Sequence, residues 1–138
     1  AFDRLIQIFG DVSKKKVILL GITYRGDVGD TRFSPVKPLV ELLQRAGADI
    51  SLHDPFVSFW EELMCEVKTD LNNVLNLSQD LIIISAGHSQ YKKDSTIDLL
   101  MKIQATTIYD TLGLFNNEQL LRLRSVHKVF VLGRGDLK

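Results

Sequence analysis

The chain has 138 residues and 45% hydrophobic content, enough for one domain with its own core. Its 17 Lys and Arg balance 17 Asp and Glu, so no global field draws nucleic acid or an anionic membrane, and any anion site must be local. Cys65 is the single cysteine, which excludes a disulfide framework within the chain and suits a reducing cytoplasm.

The chain begins Ala1-Phe2-Asp3 without methionine, as an excised piece does, and lacks the basic-then-apolar layout of a signal peptide. Its apolar runs are too short to span a bilayer. Phe2, Leu5, Ile6 and Phe9 have helical spacing, and Gly10 stops that helix. Lys14-Lys15-Lys16 is a solvated lead into a first strand, Val17-Ile18-Leu19-Leu20. After a long loop, Val36, Leu39, Val40 and Leu43 form one buried helix face, and Gly47 is the C-cap. Ser34 and Pro35 read as N-cap and first helical residue, while Pro38 draws the regular start toward itself.

Asp49-Ile50-Ser51-Leu52-His53 is a second strand, closed by Asp54-Pro55. Residues 57–64 are expected to be helical and 66–68 to form a short third strand. Asp70 caps a helix running to Leu77. Leu81-Ile82-Ile83-Ile84-Ser85 is apolar on both faces, the pattern of a central parallel strand. Tyr91-Lys92-Lys93 reads as a solvated loop. A helix over 97–103, a strand over 106–109, a helix over 117–123 and a strand over 128–132 complete the chain. This β-α alternation predicts an α/β fold: one Rossmann-like domain with a parallel sheet of five or six strands and helices on both faces. Right-handed crossovers place ligands at the carboxyl ends of its strands.

The loop after Leu20 runs Gly21-Ile22-Thr23-Tyr24-Arg25-Gly26-Asp27-Val28-Gly29-Asp30-Thr31-Arg32-Phe33-Ser34-Pro35. Such connections usually take two to six residues, and a loop of about a dozen is built to hold something. It is not the dinucleotide fingerprint. Gly21 is followed next by Gly26, so the closely spaced glycines of G-x-G-x-x-G are missing, and NAD is not expected here in the usual mode. No G-x-x-x-x-G-K-[ST] phosphate loop occurs either. What remains is Tyr24 beside Arg25, a pair able to hold a base or ribose and a phosphate, with helix N-terminal amides nearby. Asp30 and Arg32 serve either a ligand or a structural ion pair that shapes the loop.

From Val17 to Pro55 the sequence resembles the C-terminal, UDP-binding domain of nucleotide-sugar dehydrogenases, the family of the UDP-glucose, UDP-N-acetylhexosamine and GDP-mannose dehydrogenases. The shared pattern is a strand, Gly21, the aromatic Tyr24, a cation at Arg25, then Asp30, Arg32, Ser34 and Pro35, and a second strand ending in Asp54-Pro55. The likeness continues more weakly through Ser78-Gln79-Asp80, Tyr109-Asp110-Thr111 and Leu132-Gly133-Arg134. The resemblance implies that Tyr24 and Arg25 touch the uridine and diphosphate. It implies that Asp30 and Arg32 organise the loop and contact ligand or a neighbouring subunit. The family usually carries Lys where Arg25 stands, and Arg where Leu112 stands, so this chain departs from it at both positions.

The resemblance further implies an enzyme that oxidises a UDP-sugar C6 alcohol to the uronic acid, reducing two NAD. NAD and the catalytic thiol then belong to N-terminal and central domains absent here, and this chain carries neither cofactor nor catalytic residue. Residues 1–13 become the tail of a linker helix and 14–138 the UDP-sugar-binding domain. The full-length enzyme is expected to be a cytoplasmic homodimer, with no nucleic-acid or membrane partner. The alternative is a diverged binding or assembly module without nucleotide affinity.

Other residues draw plainer readings. Cys65, flanked by Met64 and Glu66, is an inert buried cysteine. Asp54 is an Asp-Pro turn residue. His53, His88 and His127 lack metal-ligand spacing, and His88 is a loop histidine without an assigned task. Phe56 and Trp60 are packing residues.

Overall fold

The structure, a computed structural model, describes residues 2–132. Gly133 and Arg134, part of the family likeness, lie outside the described residues.

The chain orders as α1 (Phe2–Phe9), β1 (Lys16–Leu20), α2 (Val36–Arg45), β2 (Asp49–His53), β3 (Phe59–Trp60), a 3-10 turn (Glu61–Leu63) and β4 (Cys65–Glu66). It continues through α3 (Leu71–Leu75), β5 (Leu81–Ile84), α4 (Ser89–Lys92), α5 (Asp94–Lys102), β6 (Thr107–Asp110), α6 (Asn117–Arg124) and β7 (Lys128–Val131). Five strands form one sheet in the order β2-β1-β5-β6-β7, every pair parallel. This is the Rossmann-like sheet expected from the β-α alternation.

The central strands are apolar throughout because alternate residues face two different cores. Val17, Leu19, Leu81 and Ile83 pack with Leu5 of α1 and with Val36, Leu39, Val40 and Leu43 of α2. Ile18, Leu20, Ile82 and Ile84 face the other way, against Val74, Leu100 and Leu123 of α3, α5 and α6. Each fully buried side chain of this size contributes about 1.5–3 kcal/mol by leaving water.

Several local features follow their expected chemistry. The Asp70 carboxylate accepts from the amides of Asn72 and Asn73 at the start of α3. Asn116 and Gln119 form a reciprocal capping box on α6. Pro38 does not delay α2. It is the third helical residue, and its missing N–H is one of the first-turn donors that have no intrahelical acceptor anyway. The helix starts one residue later than expected, with Pro35 at the N-cap and Val36 the first helical residue. Ser34 Oγ accepts from Val36 N at 3.2 Å and donates to Ile22 O at 2.7 Å, tying the helix start back to the end of β1.

Three expectations are corrected. Residues 57–64 are not a helix. Trp60 is fully buried, pairs with Cys65 in a small antiparallel hairpin, and Met64 closes the turn with φ 51°. Val57, Trp60 and Leu63 fall at helical spacing, but the strand pairing wins because it buries the indole against the core under α2. The third strand shrinks correspondingly. Cys65–Glu66 belongs to that hairpin, and Lys68 makes only an isolated parallel bridge to His53. Tyr91 is also not in a solvated loop. It lies in α4 and is fully buried.

Among the described residues no helix is long and apolar enough to cross a membrane.

The sheet order fixes where a site can form. From β1 the chain steps to β2 on one side, then crosses to β5 on the other. The loops leaving β1 and β5 therefore diverge, opening a crevice at their carboxyl ends.

Candidate functional site

The β1–α2 loop lies across that crevice, seated on the turn that follows β5. Gly21 has φ 98°, and a Cβ there would sit 2.4 Å from Ala86 Cβ. A Cβ on Gly26 would sit 2.2 Å from the Gly87 carbonyl oxygen. Glycine is needed at both places because the two backbones touch. The Ser85 hydroxyl donates to Gly21 O at 2.6 Å and adds a further tie.

Beneath the loop is a buried polar network. Asp54, at the end of β2, is fully buried. Its Oδ2 accepts from Ile22 N at 3.0 Å and lies 2.8 Å from His88 Nε2, while its Oδ1 accepts from Phe56 N at 2.9 Å. His88 is also fully buried, with Nε2 3.1 Å from Thr23 Oγ1 and Nδ1 accepting from Asp27 N at 2.8 Å. The Thr23 hydroxyl donates to Arg25 O at 2.8 Å. The Asp27 carboxylate accepts from the Ser89 amide at 2.7 Å and from the Ser89 hydroxyl. Those two bonds hold the Asp27 carboxyl below its usual range. Tyr91 and His53 extend the network, with Tyr91 Oη 2.8 Å from His53 Nδ1. Burial lowers the His53 imidazole and raises the Tyr91 phenol.

Above this network the loop presents an open depression of about 480 Å³ lined by Tyr24, Arg25, Val28, Asp30, Arg32 and Phe33. The four residues singled out in the sequence, Tyr24, Arg25, Asp30 and Arg32, are thus brought together. Tyr24 is 60% exposed. The Arg25 guanidinium makes no hydrogen bond or ion pair with any described residue. Arg32 is engaged instead. Its Nε and Nη2 donate to the two Asp30 carboxylate oxygens at 3.0 and 3.2 Å. Those bonds pull the Asp30 carboxyl down and the Arg32 guanidinium up. The structural ion pair anticipated for this loop therefore exists. Asp30 also sets the loop's return, because its carbonyl accepts from Tyr24 N at 3.0 Å. Phe33, 90% exposed with φ 56°, completes the rim.

A larger hollow of about 570 Å³ opens among Lys16, Leu75, Asp80 and Lys102. It sits at the amino ends of the strands, away from the edge where open parallel sheets hold ligands.

The histidines need correction. His88 is the hub of the buried network and not an idle loop residue. Asp54 does close the expected turn, through Phe56 N, but it also clamps the loop and His88. Thr23 and Asp27 drew no attention in the sequence, since nothing local marks them as partners of residues more than 60 positions away. The one available signal was that Asp54 and His88 both follow strand ends of a parallel sheet. Phe56 is half exposed, its ring 5.0 Å from that of His88, so it covers the network from the outside. Cys65 is only half-buried, and burial pushes its thiol upward, away from a reactive thiolate. Leu112 is half exposed, its Cδ1 3.9 Å from where a Gly87 Cβ would stand, on the far rim of the crevice. Among the described residues no group of three or more His, Cys, Asp or Glu is placed to hold a metal.

Comparison with known proteins places this geometry in context. Residues 18–117 match the model of the UDP-glucose/GDP-mannose dehydrogenase family, UDP binding domain. The UDP-N-acetyl-D-mannosamine dehydrogenase of Methanococcus maripaludis is 28% identical over 127 residues, covering 90% of this chain and 28% of that protein. The solved NDP-N-acetyl-D-galactosaminuronic acid dehydrogenase of Methanosarcina mazei superposes with a TM-score of 0.73 at 27% identity, covering 96% of this chain and 26% of that one. The fold of a UDP-D-ManNAc dehydrogenase from Pyrococcus horikoshii matches equally well, with a TM-score of 0.73 over 98% of this chain and 29% of that one, at 22% identity. The chain thus spans less than a third of the length of each.

Proposed function

The chain belongs to the UDP-glucose/GDP-mannose dehydrogenase family, as its UDP-binding domain, and from that premise we propose that its β1–α2 loop holds the uridine and diphosphate of a UDP-sugar. The observation that carries this reading is Arg25. Its guanidinium is exposed, makes no hydrogen bond or ion pair among the described residues and feels the Asp30 charge only through space, and shares the depression with the exposed ring of Tyr24. A planar cation can bind diphosphate oxygens through two N–H groups, and the adjacent ring can pack on base or ribose. Arg32, already engaged by Asp30, serves chiefly to hold the loop's shape and offers only its remaining N–H groups to ligand.

In the complete enzyme this domain serves the oxidation of the sugar's C6 alcohol to a carboxylate. That four-electron change would need two NAD, held by a domain beyond these residues, as hydride acceptors, with water supplying the second carboxylate oxygen. The loop here has a different task, since closely spaced glycines for a dinucleotide pyrophosphate are missing. The half-buried Cys65 is not the nucleophile. The helix α1 is the tail of the linker from a central dimerisation domain, and the enzyme works as a cytoplasmic homodimer. The isolated chain is therefore a binding domain without turnover.

Calorimetric titration with UDP tests the reading. Binding that weakens about tenfold or more in Arg25→Ala, with partial rescue in Arg25→Lys, supports it. An assay with UDP-glucose and NAD should show no turnover by the 138 residues alone. A second reading, an assembly module without nucleotide affinity, is favoured by the apolar, half-exposed Leu112 on the crevice rim. No heat at millimolar UDP would favour that reading over the first.

A further inference from the structure

The buried network determines the protonation of one ring. The Asp27 amide points at His88 Nδ1 from 2.8 Å, and an amide N–H can only donate, so Nδ1 carries a lone pair. The ring proton then sits on Nε2, which faces Asp54 Oδ2 at 2.8 Å and Thr23 Oγ1 at 3.1 Å. Thr23 is an acceptor in that contact because its own hydrogen goes to Arg25 O at 2.8 Å. One neutral tautomer therefore satisfies every bond around the ring, and no other does.

The consequence is positional. Thr23 and Asp27 bracket Tyr24, Arg25 and Gly26, and both are tied to the same imidazole. The imidazole is held in turn by Asp54 at the end of β2 and by its own place after β5, where Gly26 rests on Gly87 O. The other groups around the ring are His53, Tyr91 and Phe56, and Asp27 lies near Lys92. None of these supplies a second acceptor for the Asp27 amide.

We infer that His88 is the positioning residue of the nucleotide loop: its Nδ1 accepts from the Asp27 amide and its Nε2 meets the Thr23 hydroxyl, so it fixes the loop on either side of Arg25 and sets that guanidinium for the diphosphate. The inference rests on the reading of the loop as a UDP site. His88 touches no ligand in this role. It acts through the backbone of Asp27 and the hydroxyl of Thr23.

Two variants separate the two sides of the ring. In His88→Asn the amide oxygen occupies the Nδ1 position and can still accept from Asp27 N. In His88→Gln the amide reaches the Nε2 position and can still donate to Asp54, but Asp27 N loses its acceptor. With calorimetric titration of UDP into the 138-residue chain, each variant being titrated at a temperature where it is folded, the Asn variant should stay within about threefold of wild type and the Gln variant should lose about tenfold or more. Equal loss in both variants, or loss in neither, overturns the role of His88 while leaving the UDP reading intact. A wild-type chain that gives no heat with UDP overturns the UDP reading, and the role of His88 with it. Should either variant fail to fold, long-range 15N–1H correlation on the wild-type imidazole decides the matter. A proton on Nε2 with a slowly exchanging Asp27 amide supports the inference, and a proton on Nδ1 overturns it.

Discussion

The Asp54 carboxylate and the His88 imidazole meet at 2.8 Å with neither side chain exposed, joining the ends of two strands that are not neighbours in the sheet. Between them lies β1, and the loop leaving it is hung on both groups. Asp54 takes the Ile22 amide, and His88 takes the Asp27 amide. The outer face of the loop is left to present Tyr24 and Arg25 to solvent because its inner face is fully engaged. Rigid backbone under an exposed cation limits the entropy lost when an anion binds.

Replacing Asp54 by Asn tests that clamp. The carboxylate accepts three hydrogen bonds, two at Oδ2 and one at Oδ1. An amide has one oxygen, so its NH₂ must face either Phe56 N or the Ile22–His88 pair, and a buried donor goes unmet in both orientations. The expected loss is about 1–3 kcal/mol in denaturant unfolding, with UDP affinity falling as well. An unchanged midpoint would show that the clamp is dispensable.

Glycine substitutions distinguish close approach from backbone conformation. Gly10 and Gly21 both have positive φ, 87° and 98°. Nothing lies within 4 Å of a Cβ on Gly10, whereas one on Gly21 meets Ala86 Cβ at 2.4 Å and Ala86 N at 2.7 Å. Gly10→Ala should therefore cost about 1 kcal/mol, from conformation alone. Gly21→Ala should cost about 3 kcal/mol or more, since β1 and β5 would have to separate. Equal effects in equilibrium unfolding would mean that the loop is not seated as described.

Stability should fall on mild acidification, in part through His53. Burial lowers its imidazole from the ordinary 6.5. Below pH 6.5 the unfolded chain takes up a proton that the folded chain still refuses, so the unfolded state binds more protons and unfolding becomes easier. The loss continues down to the folded value and then stops. His53→Asn keeps an acceptor for Tyr91 but cannot titrate, so its unfolding free energy should depend less steeply on pH in that window. A slope identical to wild type refutes the assignment.

Arg32 and Arg25 should respond differently to removal. The Asp30–Arg32 pair is exposed and screened by solvent, so Arg32→Ala should leave the unfolding midpoint essentially unchanged. Its effect on UDP affinity should be smaller than that of Arg25→Ala, because Asp30 already occupies the guanidinium. The reverse ranking in titrations would make Arg32 the principal phosphate contact.

Much of this protein was written in local pattern. The doubly apolar run from Leu81 to Ile84, the spacing of Val36, Leu39, Val40 and Leu43, and the Asp70 cap each depend on residues within a few positions of one another. A linear reading captures such features, and with them the parallel sheet and the exceptional length of the loop after Leu20. The gathering of Tyr24, Arg25, Asp30 and Arg32 was legible for the same reason, since one loop carries all four. The hairpin at Trp60 was not, because helical and strand readings of its apolar residues differ only in what the indole packs against. Nor was the task of His88. Its partners stand 34, 61 and 65 residues away, and a hydrogen bond across such separations exists only once the strand order has placed the ends of β1, β2 and β5 side by side. Periodicity is a property of neighbours in the chain. Burial and pairing of polar groups are properties of neighbours in space, and only the folded sheet supplies those.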